Sequence, residues 1–194
     1  MLRAVPLAML CCLVGTVVAA PAPAESDLLD DALVVVRAND LLWCDRQIAG
    51  YAAAANRDTQ RYRNLLAQML FRSRSLAGLD LTRPALVAWR DQSAAMVAIL
   101  PITDRRAFMA DFGADTSFGT PLVRFKELDG TTVYSQNTAK GLVNYRLLIQ
   151  DDTAYFASTV AECRRLAERG ALRIGEGAPL EISLRGRGLL GLDF

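Results

Sequence analysis

The 194-residue chain has no histidine and only two lysines, Lys126 and Lys140. The missing imidazole removes the usual general base, the commonest metal ligand and every Ser-His or Cys-His nucleophile. A Ser-Lys dyad would have to use Lys126 or Lys140, both on or near predicted hairpins, and no Ser-x-x-Lys spacing occurs. Gly-rich phosphate loops, calcium loops and zinc spacings are also missing. The chain therefore predicts no catalytic residue, no cofactor and no metal ligand, and an enzyme is not expected.

Net charge is scarce as well. The 22 Lys and Arg residues less Arg3, the one charge ahead of Glu25, leave 21 against 21 Asp and Glu. A balanced chain argues against nucleic acid or an acidic membrane surface as partner. The arginines Arg57, Arg61, Arg63, Arg72 and Arg74 cluster on one helical face but have no interleaved aromatics, so they read as a solvated face.

Residues 1–24 read as an export signal, with Arg3, an apolar run from Ala4 to Ala20 and small residues at Ala22-Pro23-Ala24. A retained membrane anchor is the alternative, and Leu10 before Cys11 speaks against a lipoprotein. Cleavage near Ala24 predicts a periplasmic or secreted bacterial protein, with membrane contact only through an uncleaved segment. Two cysteines then remain, Cys44 and Cys163. They would form a disulfide closing a long loop or stay as buried free thiols, since each lies on the apolar face of its predicted helix.

Residues 25–32 read as a polar tether and residues 33–174 as one domain. Residues 175–194 read as a Gly-rich linker and a terminal strand, with Gly175, Gly177, Gly186, Gly188 and Gly191 as flexible positions. Leu33 to Val36 predicts a strand. Asn39 or Asp40 caps a helix from Leu41 towards Ala55, and a second amphipathic helix extends towards Gly78. Ala85 to Arg90 and Ala94 to Leu100 predict strands joined at Asp91-Gln92. The stretch from Met96 to Gly113 is the best organised: apolar strand, Pro101, a Thr103-Asp104 cap and a helix from Arg105 to Phe112. A loop from Gly113 to Pro121 follows, and it is the longest irregular stretch.

Leu122 to Leu128 and Thr131 to Ser135 flank Asp129-Gly130, a hairpin signal. Gly141 to Gln150 and Thr153 to Ser158 form another, turning at Asp151-Asp152. Thr159 and Glu162 make a capping box for a helix to Arg169. Two segments, Val97 to Gly113 and Ala154 to Gly170, repeat the order strand, cap, helix, glycine. The predicted class is α+β: an antiparallel sheet of hairpins, helices packed on one face, and repeated strand-strand-helix units. Leu180, Ile182, Leu184, Leu190, Leu192 and Phe194 alternate, as in a final sheet strand, the opening of a further repeat, or an outer-membrane barrel strand. The helical content speaks against the barrel.

Ala77-Gly78-Leu79-Asp80-Leu81, Arg83-Pro84 before a strand, Val97 to Asp104 before a helix with Phe108, Asp129 to Tyr134, and a strand ending near Ala157-Ser158 resemble a family of exported bacterial proteins classed as a domain of unknown function. The resemblance covers about Leu33 to Gly170. It implies a fold and export, brings no catalytic residues, and implies a longer chain with the unit repeated, of which this chain would be a short member or a fragment.

The paired carboxylates Asp30-Asp31 and Asp151-Asp152 read as tether and turn. Two functions remain: a non-catalytic envelope module that binds a protein, a glycan or an apolar ligand, or a glycan-processing enzyme that works with carboxylates alone.

Overall fold

The computed structural model describes residues 29, 32–71, 75–90, 96–112, 123–126, 131–137, 144–168 and 178–184. Residues 1–24, which the sequence reads as an export signal, Asp30-Asp31, Arg72, Arg74, Lys140, the expected turns at Asp91-Gln92 and Asp129-Gly130, the expected Gly113 to Pro121 loop and the five C-terminal glycines named above lie outside them. Strand β1 (Val34–Ala38) leads through α1 (Leu41–Ala54) and α2 (Thr59–Phe71) to the pair β2 (Ala85–Trp89) and β3 (Met96–Pro101). Helix α3 (Arg105–Phe112) and strands β4 (Val123–Lys126) and β5 (Thr132–Asn137) follow. Then come β6 (Asn144–Gln150), β7 (Thr153–Ala157), α4 (Val160–Glu168) and β8 (Leu180–Leu184).

All eight strands join one antiparallel sheet in the order β4-β5-β6-β7-β3-β2-β1-β8. The α+β class is as the sequence predicts, and so are the hairpins. Strand β8, the last of the described strands, belongs to this same sheet and pairs with β1.

The helices, however, do not share a face. Ala38, Ala85, Val87, Met96, Ala98, Leu100, Tyr145, Leu147, Ala154 and Phe156 point to one side, where Leu41 of α1 and Phe108 of α3 cover them. Val35, Leu86, Ala88, Val97, Ile99, Val133, Leu148, Tyr155 and Ala157 point to the other, with Cys163 and Leu166 of α4 against them. This corrects the one-face expectation, and the reason is in the strands: β3 and β7 are buried at every position. A strand whose successive side chains point to opposite faces can be wholly buried only when both faces are covered.

The same arrangement bears on the repeat. Strands β3 and β7 are antiparallel neighbours, and a two-fold axis relating them would stand normal to the sheet and keep both helices on one side. Since α3 and α4 lie on opposite sides, the two strand-strand-helix segments are not superposable copies of one unit. A smaller difference concerns the tether: Leu29 and Ala32 are each 2% exposed and belong to the α4-side core.

Local chemistry sets the helix ends. Asp40 caps α1 by accepting from Trp43 N at 2.7 Å. Thr159 and Glu162 form the expected capping box on α4, Thr159 N donating to Glu162 Oε2 at 3.1 Å and Glu162 N to Thr159 Oγ1 at 3.2 Å. Helix α2 is described from Thr59 to Phe71. Leu76 beyond it packs on the α3-side core outside any helix.

Candidate functional site

Thr103, Asp104 and Asp152, which the sequence singles out, meet at one end of the sheet around the segment from Leu76 to Pro84, while Arg63, Glu162 and Cys163 lie elsewhere. Gly78 is the pivot. Its backbone is left-handed, with φ 77°, and its carbonyl accepts from Thr103 N at 2.9 Å and Asp104 N at 3.3 Å. Asp104 is the N-cap of α3, its Oδ1 accepting from Arg106 N at 2.9 Å and Ala107 N at 3.0 Å.

The neighbours of Gly78 continue the tie. Leu79 bridges Ile102, Asp80 N donates to Pro101 O at 3.0 Å, and Leu42 N donates to Leu81 O at 3.1 Å. Asp80 Oδ1 accepts from Thr82 N at 2.9 Å and Thr82 Oγ1 at 2.6 Å, closing a local turn. Those bonds, foremost the Thr82 hydroxyl, hold the Asp80 carboxyl below its ordinary range. Arg83 reaches across to β7, donating to Asp152 O at 3.1 Å and Thr153 Oγ1 at 3.2 Å. One short loop thus fastens α1, α3, β3 and the β6–β7 turn.

Two further charged pairs are similarly engaged. Arg63 of α2 grips Asp45 of α1 with two bonds of 2.6 Å. That bidentate pair occupies one member of the predicted arginine cluster. On the opposite face Arg90 bonds Glu162. Burial alone would raise the Glu162 carboxyl, but the Arg90 hydrogen bond and charge, with the Thr159 bonds, outweigh it and leave the group below its ordinary range. Ser75 donates to Asp111. Asp151 takes φ 51° in the β6–β7 turn, so the Asp151-Asp152 pair is turn chemistry, as expected.

Cys44 and Cys163 are free thiols. Cys44 packs on the α3 side and Cys163 is wholly buried on the α4 side, with the sheet between them. The two are thus not joined in a disulfide; of the buried-thiol reading, Cys163 is buried and Cys44 only half-buried. Desolvation dominates both: it pushes Cys163 up to about 12 and Cys44 up to about 11. Thiols so placed are protonated at neutral pH and inert as nucleophiles.

Among the described residues no three His, Cys, Asp or Glu side chains gather in a metal-binding group. No helix among them is long and apolar enough to cross a membrane. Sequence reasoning gave no reason to place Gly78 against Thr103 and Asp104. The signals available were the Gly in Ala77-Gly78-Leu79 and the caps, which carry no distance information.

No family model, curated protein or solved structure matches the chain.

Proposed function

We propose that the chain is an exported, non-catalytic module of a bacterial cell envelope, of the kind its motifs resemble, and that it works by binding or packing. The observation that carries this reading is the employment of its polar side chains. Asp40 and Asp104 cap helices, Asp80 closes a turn, and Asp45 and Glu162 answer Arg63 and Arg90. Carboxylates held this way serve geometry, and general acid-base work would need two of them converging in one pocket with opposed pKa shifts. Among the described residues the exposed large apolar groups are Leu42 at 39% and Tyr51 at 49%; nine positions apart on α1, they lie on opposite sides of that helix and make no single apolar patch.

Two assays on the purified protein test this. With cell-wall glycan fragments followed by mass spectrometry, no turnover is expected. In periplasmic extract, the immobilised folded protein is expected to capture a partner that the urea-unfolded protein does not. Glycan cleavage that one Asp→Asn or Glu→Gln substitution abolishes would overturn the reading in favour of a carboxylate-only hydrolase.

A further inference from the structure

The two edges of the sheet are β4 and β8, and their sequences treat the open edge in opposite ways. A bare edge strand presents unpaired N–H and C=O groups to any other strand, and charge is a common defence. Two copies of one edge can pair antiparallel about a two-fold axis normal to the sheet only in registers that keep each side chain on its own face. For β4 the register centred on its exposed Arg124 places that residue opposite Arg124 of the second copy, which sets like charges face to face and is destabilising.

Strand β8 reads Leu180-Glu181-Ile182-Ser183-Leu184, which is symmetric in polarity about Ile182. Centred there, position 180 lies opposite 184 of the second copy, Ile182 opposite Ile182, and Glu181 opposite Ser183. The apolar positions meet on the α3 side, and on the other side each carboxylate meets a hydroxyl that can donate to it. The same residues already pair in this way within the chain. Val36 lies opposite Ile182, Ala38 opposite Leu180 and Val34 opposite Leu184, while Arg37 faces Glu181. Among the described residues no strand lies outside β8.

We infer that β8 is a self-association edge, at which a second copy of this chain adds its own β8 antiparallel about Ile182 and continues the sheet across the two-fold axis. The interface is isologous, so every contact occurs twice. Edge pairing of five residues a side buries little area, so the dimer is weak and concentration-dependent. The β4 edge takes no part.

Sedimentation equilibrium of the purified protein, between about 1 and about 500 micromolar, tests this. The wild type is expected to show a monomer–dimer equilibrium in that range. Ser183→Glu places two carboxylate pairs in opposition and is expected to weaken dimerisation about tenfold, whereas Ser183→Lys, opposite Glu181 of the second copy, tightens it about tenfold. Far-UV circular dichroism and the urea midpoint report whether each variant folds, and the lysine variant tests the register even if the glutamate variant does not. Arg124→Glu is expected to change nothing. A monomer throughout the range, a dimer indifferent to both Ser183 substitutions, a dimer that responds to Arg124→Glu, or larger open-ended assemblies would each overturn the assignment.

Discussion

Gly78→Ala is expected to destabilise the protein by about 2–5 kcal/mol, from two separate costs. The left-handed conformation at φ 77° costs a residue with a Cβ about 1–2 kcal/mol. The second cost is steric: a Cβ there would collide with the Asp104 carbonyl oxygen and the Phe108 amide nitrogen, and would sit 2.8 Å from Phe108 Cα. These are backbone atoms of the first turn of α3, which cannot rotate aside as a side-chain tip would. Relieving such overpacking typically costs a further 1–3 kcal/mol or so. The displaced helix would pull Phe108 from the α3-side core and strain the bonds from Thr103 and Asp104 to the Gly78 carbonyl. Urea denaturation followed by circular dichroism measures the loss. A change below about 1 kcal/mol would mean that the loop does not hold α3 as described.

Phe156→Ala is expected to cost about 3–5 kcal/mol in the same assay. Phe156 has no exposed surface and lies on β7, between β6 and β3 near the middle of the sheet. Its ring stacks on Tyr145 with centroids 4.8 Å apart and an interplanar angle of 17°. Truncation would leave a void lined by residues of β3, β6 and β7, and strands paired on both sides cannot collapse to fill it. Leu42→Ala on the exposed side of α1 is the control, with a change within about 0.5 kcal/mol. Equal effects at the two positions would remove Phe156 from the core.

Much of the local structure was legible because it is encoded by neighbouring residues. The predicted helix from Arg105 to Phe112 has those bounds in the structure. The Thr159 and Glu162 box closes as its spacing requires. The β6–β7 hairpin turns at Asp151-Asp152 because an Asp tolerates positive φ.

What the sequence concealed was the side of the sheet on which each helix lands. Amphipathic spacing says that Phe108 and Cys163 face inward, and both do. The same spacing carries no sign that distinguishes one face of the sheet from the other. The useful clue was in β3: a run apolar at every position, Met96 to Pro101, calls for cover on both faces. In β6, Arg146 between Tyr145 and Leu147 has the alternation of a strand with one solvated face, yet Leu148 on the Arg146 side is 4% exposed. Cys163 of α4 lies over Arg146, its Sγ 3.4 Å from the Arg146 carbonyl oxygen.

The candidate site was less legible than the fold. Ala77 to Leu81 and Val97 to Asp104 stand out in the sequence as two separate motifs. Only the folded chain brings Gly78 onto Thr103 and Asp104, and Arg83 onto Asp152 and Thr153. Their meeting makes sense of both as parts of one fastening.

The two cysteines report directly on the placement of helices on opposite faces of the sheet. Cys44 rides on α1 against one face and Cys163 on α4 against the other. Protein isolated without reductant, then unfolded in an alkylating reagent and digested, is read by mass spectrometry. The account predicts that the peptides containing Cys44 and Cys163 are each recovered singly alkylated. A disulfide-linked Cys44–Cys163 peptide would put both helices on one side of the sheet and contradict it.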